Sequence, residues 1–140
     1  MKIYLASRFS NRFELRKIRD FLTMAGHEIT SRWIDVDTRP SDNSEELKKF
    51  WMKWAKIALF DLIYSELLIL YTMGCDKNPS RGGKRFEEGF AFACNYPIIV
   101  VGPKLIVFDY LDTPKYCDKW DECFEILSTI KPKSLLKFKE

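Results

Sequence analysis

A chain of 140 residues, 46% hydrophobic and carrying a net charge of +3, is one domain's worth of globular protein. The charge is too weak to argue for a nucleic-acid polymer as partner, and the most apolar segment, 57–71, is interrupted by Asp61 and Glu66 and too short to span a membrane. Cys75, Cys94, Cys117 and Cys123 form no C-x-x-C pair and His27 is the one histidine, which argues against zinc; no metal and no other cofactor is expected.

The chain opens on Met1-Lys2-Ile3-Tyr4-Leu5, strand-like from the start and unlike a secretory leader, so a cytoplasmic protein with reduced thiols is expected. Lys2 to Ala6 reads as a central strand, and Ser7 to Arg12 as a loop entering a helix that Ser10 or Asn11 caps. Phe13, Ile18, Phe21, Leu22, Met24 and Ala25 follow helical spacing until Gly26-His27 ends the run. Ile29 to Ile34 is a second strand candidate, and 35–43 a polar loop.

Ser44-Glu45-Glu46 starts a long helix whose inward stripe is Leu47, Trp51, Trp54, Ala58 and Leu62, with Ala55 and Leu59 alongside. Lysines among these tryptophans then face outward, which makes an amphipathic helix a better reading than a nucleic-acid surface. Glu66 to Tyr71 reads as a strand, Thr72 to Arg81 as a loop, and a helix follows from Gly82. Ile98 to Val101 is a strand, Leu105 to Phe108 a short edge strand, Asp118 to Ile130 a helix, and the basic end from Lys131 a frayed tail. This alternation predicts a single α/β domain over 1–140 with a mostly parallel sheet covered on both faces. In such sheets ligands sit beyond the carboxyl ends of the strands, so the loops after Ala6, Tyr71 and Val101 should converge on a site.

Four groups of residues stand out. Glu87, read as lying near the start of a helix behind Gly82 and Gly83, is expected to be held ionised as a nucleophile or base, against the plainer reading of an acid that complements the helix dipole. Glu88, next to it, is expected to be solvated. Asp61 falls on or beside the inward stripe of its helix and is either functional or a buried acid bonded to backbone or an arginine. Ser7 and Arg8, between strand and helix, suit a phosphate or are surface charge; Gly82-Gly83 suits a phosphate or ribose but lacks the spacing of a dinucleotide fingerprint or P-loop.

Ile3-Tyr4-Leu5-Ala6-Ser7-Arg8, the stretch Ala25 to Ile34, Gly82-Gly83-Lys84-Arg85-Phe86-Glu87-Glu88-Gly89-Phe90-Ala91 and Val101-Gly102-Pro103 resemble, in that order, the nucleoside 2-deoxyribosyltransferase-like family, which includes 2′-deoxynucleoside 5′-monophosphate N-glycosidases. The resemblance implies a flavodoxin-like (Rossmann-like) three-layer fold and cleavage of the N-glycosidic bond of 2′-deoxynucleosides or their 5′-monophosphates. It makes Glu87 the nucleophile that forms a deoxyribosyl ester and Tyr4 the tyrosine beside it. It puts Ser7 and Arg8 at a 5′-phosphate, and Gly82, Gly83, Gly102 and Pro103 around the substrate.

Two positions depart from the family pattern. Ala58 and Ser65-Glu66 stand where an acid that assists the leaving base is usual, making Asp61, one helical turn on, the candidate replacement. Ile106 replaces an asparagine that in relatives reaches a neighbouring subunit's site. The expected partner is therefore a small nucleoside or nucleotide, and the expected assembly a homodimer or larger. The alternatives are a family member that binds or senses a nucleotide without full turnover, and a related glycosidase acting on a ribosyl substrate or a dinucleotide.

Overall fold

The structure, a computed structural model, describes residues 1–74 and 82–131. Much of the loop expected over Thr72 to Arg81, including Cys75, and the tail expected beyond Lys131 lie outside the described residues.

Three uninterrupted apolar runs form the centre of the sheet. They are β1 (Lys2–Ala6), β3 (Leu67–Tyr71) and β4 (Ile98–Val101), in which every residue but Lys2 is buried. Strands with both faces covered need apolar residues at every position, the signature of a parallel sheet inside helical layers. With β2 (Glu28–Ile29) and β5 (Lys115–Cys117), the described residues form a five-stranded, all-parallel sheet in the order β2-β1-β3-β4-β5. This is the flavodoxin-like order, whose switch point lies between β1 and β3.

The two-residue period of the strands sorts their side chains between two cores. Ile3, Leu5, Ile69 and Ile99 face α1 (Arg12–Met24) and α4 (Trp120–Thr129), packing with Leu15, Leu22, Cys123 and Leu127. Tyr4, Ala6, Leu68, Leu70 and Val100 face α2 (Glu45–Tyr64) and α3 (Gly83–Ala93), packing with Leu62 and Ala91. This sorting points Tyr4 at the helix that carries Glu87.

Local chemistry sets several boundaries. Ser44 caps α2 by accepting from Leu47 N at 3.0 Å, with Glu45 and Glu46 in the first turn. Gly26, at φ +91°, turns the chain out of α1 as expected. Neither Ser10 nor Asn11 caps α1 with its side chain: Asn11 Nδ2 donates instead to Ser7 Oγ and Met73 O.

Two strand expectations are corrected. The strand foreseen over Ile29 to Ile34 stops at Ile29 and gives way to a 3-10 turn, Arg32–Asp35. Side chains take over the ladder there: Leu5 N donates to Ser31 Oγ, and Arg32 N to Asp61 Oδ2. Leu105 to Phe108 is not an edge strand either. The Leu105 and Ile106 N–H groups both donate to the carboxylate of Asp109, folding the chain into a 3-10 turn over Val107–Tyr110. The edge is β5, three residues that no hydrophobic pattern announced.

The expected stripe of α2 is only partly core. Leu47 and Leu62 are buried, but Trp51, Ala55 and Leu59 are exposed and the middle of the helix lines an open hollow. No described helix is long and apolar enough to cross a membrane.

Candidate active site

The hollow is a cavity of about 750 Å³ on the Tyr4 side of the sheet. Ser7, Arg8, Phe9 and Ser10 enter it from the loop after β1, and Trp33, Val36 and Arg39 from the segment after β2. Phe50, Trp51, Trp54 and Ala58 enter from α2, and Gly83, Lys84, Phe86 and Glu87 from α3. Of the three expected loops, the one after Ala6 is present. Among the described residues nothing from the loop after Tyr71 or the loop after Val101 lines the cavity; α2, α3 and the segment after β2 supply the other walls.

Glu87 stands in this wall, half-buried, and the Tyr4 hydroxyl donates to its Oε1 at 2.7 Å. Helix α3 begins at Gly83, so Glu87 falls beyond the first turn, where the dipole no longer helps an anion. The expectation that it is held ionised is corrected accordingly. Burial pushes the Glu87 carboxyl up to about 7, and the Tyr4 hydrogen bond restrains that rise. The Tyr4 hydroxyl, fully buried and beside this acid, is pushed far above its ordinary range, by burial first and by the Glu87 charge next. Tyr4 is thus a fixed donor, and Glu87 a carboxyl poised to change charge near neutral pH.

Ser7 and Arg8 both reach the cavity, but the protein already holds them. Ser7 Oγ donates to Tyr71 O at 2.7 Å; Arg8 Nη1 donates to Gly74 O at 2.7 Å and Nε to Asn11 Oδ1 at 3.3 Å. They tie the loop after β1 to the end of β3. Gly82, at φ +89°, caps α3 in a conformation that disfavours any side chain; among the described residues beyond its chain neighbours, a Cβ at Gly82 or Gly83 would meet no atom within 4 Å. Of the pair, Gly83 lines the cavity.

Gly102 and Pro103 knit strand ends together and do not line the cavity. A Cβ on Gly102, at φ +121°, would lie 2.5 Å from Thr72 Oγ1, which donates to Pro103 O. Asp61 is also outside the lining. It is buried, accepting from Arg32 N at 3.0 Å and Arg32 Nε at 2.8 Å, the second of the two readings its position allowed.

Glu88 is corrected from a solvated acid to a buried one. Its carboxylate accepts from Arg85 Nη1, which also donates to the fully buried Asp109 at 2.8 Å. Burial raises the Glu88 carboxyl and Arg85 opposes the rise. At Asp109 burial is outweighed by the Leu105 N–H, Arg85 and the Ile106 N–H, which hold the carboxyl below its ordinary range. This cluster clamps α3 to the chain beyond β4. Sequence alone gave it no signal, because Asp109 lies 24 residues from Arg85. Arg39 and the aromatic wall of Phe9, Trp33 and Phe50 were likewise not singled out; a tryptophan next to a strand and an arginine in an otherwise acidic loop were the available hints.

No protein-family model matches the chain, and a search of curated proteins returns no match. Among solved structures the chain is similar to the 2-deoxyribosyltransferase of the psychrotolerant bacterium Bacillus psychrosaccharolyticus, at 22% identity and a TM-score of 0.65, over 96% of this chain and 100% of that one. At that identity the likeness establishes a shared fold: the five parallel strands and flanking helices of a flavodoxin-like α/β domain.

Proposed function

We propose that this protein cleaves the N-glycosidic bond of 2′-deoxynucleosides or their 5′-monophosphates, with Glu87 as nucleophile. The observation that carries the reading is the 2.7 Å hydrogen bond from Tyr4 to Glu87 in the wall of an aromatic cavity at the strand ends. The fold shared with a 2-deoxyribosyltransferase supports it.

In this mechanism one Glu87 oxygen bonds to C1′ as the C1′–N bond breaks, and the bonding electron pair leaves with the base, which takes a proton from water. The ester is then opened by a nitrogen of a second base or by water, whose proton passes to the hydroxide left by the first step, and the carboxylate is regenerated as the C1′–O bond breaks. Cation character develops on the sugar ring during both steps, and a nearby carboxylate stabilises it. Tyr4 donates to one carboxylate oxygen and fixes the other toward the cavity. The aromatic walls fit a planar base. Asp61, held by Arg32, shapes the turn that carries Trp33 into the site.

The test is release of free base from a panel of deoxynucleosides and their monophosphates, with Glu87→Ala as control. Base release that Glu87→Ala abolishes, together with a sugar adduct on a peptide containing Glu87, is the expected result. Undiminished release by Glu87→Ala would remove Glu87 from the mechanism.

A further inference from the structure

The cavity wall is rich in donors and poor in acceptors. Among the described lining residues Glu87 is the carboxylate, whereas Arg8, Arg39, Lys84, Ser7 and Ser10 present N–H or O–H groups, and Lys84 is already engaged. Ser7 and Arg8 are already engaged with Tyr71 O and Gly74 O. Arg39 is different. Its guanidinium carbon stands 5.9 Å from the centre of the Phe9 ring and 6.0 Å from that of Trp51. Among the described residues it has no hydrogen bond and no ion pair. A charged neighbour that acts with it is another cation, Arg12, which is turned to the carbonyls of Phe9, Val36 and Asp37.

We infer that Arg39 is a specificity-determining residue that selects, against Phe9 and Trp51, a base presenting two adjacent acceptors. The inference rests on the glycosidic reading above and names the substrate class within it. A guanidinium offers five N–H groups in a planar fork and accepts nothing. Arg39 lies over Phe9 and Trp51, and a base stacked on the neighbouring aromatic wall of Trp33 and Phe50 would turn its edge toward that fork. O6 and N7 of a 6-oxopurine match it in bidentate fashion, whereas adenine puts an N6 amino donor where O6 would be. Phosphate is the other acceptor-only group of a nucleotide, but it is strongly hydrated, and a cation seated among aromatic rings favours a flat, weakly hydrated partner. A donor fork on the departing base also offsets the negative charge that forms there, where the usual acid is absent.

The experiment measures base release from 2′-deoxyinosine, 2′-deoxyadenosine and their 5′-monophosphates by the wild type, Arg39→Lys and Arg39→Met. Calorimetric binding of free hypoxanthine and free adenine runs in parallel. The wild type should favour the deoxyinosine substrates by about tenfold or more in kcat/KM, within the range of one bidentate pair. Both variants should lose that preference, since lysine restores the charge without the fork.

Equal use of the two bases by the wild type would overturn the inference. So would a loss confined to the monophosphates, equal for both bases and rescued by lysine, because that pattern assigns Arg39 to the phosphate. If no compound releases base, the glycosidic reading fails, and the ratio of hypoxanthine to adenine binding, with its dependence on Arg39, still decides the role of Arg39.

Discussion

Tyr4 and Glu87, 83 positions apart, meet at 2.7 Å because β1 turns its even-numbered residues toward the helix layer that contains α3. Tyr4→Phe keeps the ring and removes the donor. Burial then acts on Glu87 with less opposition, so the carboxyl rises above about 7. A lost hydrogen bond to a charged group is worth about 1.5–3 kcal/mol, so kcat should fall roughly 10- to 100-fold with KM little changed. The check is the pH profile of kcat: its limb should move to higher pH in Tyr4→Phe.

Glu87 attacks as the carboxylate, so base release should rise with pH and level off above about 7. Stability should run the other way. A carboxyl raised above its unfolded value favours the fold most where it is protonated, below its unfolded range, and that contribution is lost as pH climbs through about 7. Glu87→Gln should therefore raise the Tm at pH 8, by a free energy of up to about 3 kcal/mol, and change it little at pH 4. Thermal melts of both proteins at the two pH values test the sign.

Asp61 accepts from the Arg32 backbone and side chain and lies outside the cavity lining. Asp61→Asn keeps an acceptor and loses the ion pair with a half-exposed arginine. It should lower stability by about 1–2 kcal/mol while kcat stays within about threefold. A loss of kcat by orders of magnitude at unchanged Tm would instead return Asp61 to the chemistry of the leaving base.

Gly102 should tolerate no side chain. Gly102→Ala sets a Cβ 2.5 Å from Thr72 Oγ1 and 3.0 Å from Met73 N, at a φ of +121°. A cost of about 2–4 kcal/mol is expected from the strained backbone and the displaced Thr72. Chemical denaturation measures it, and a fall in activity should follow from lost fold rather than from lost affinity.

The sequence by itself determined the layered α/β fold, since continuous apolar runs at Ile3 to Ala6, Leu67 to Tyr71 and Ile98 to Val101 are stable only as strands covered on both faces. It also singled out Glu87, through its order behind a glycine pair and through the family resemblance, as the candidate nucleophile that the base-release assay decides. It could not determine that Tyr4 reaches Glu87, that Glu88 and Asp109 share Arg85, or that the loop after β2 closes the cavity in place of the loop after Val101. Those relationships join residues distant along the chain, and the charge state of Glu87 follows from its burial among them. Desolvation depends on what surrounds a group in space, and no window of neighbouring residues contains that information.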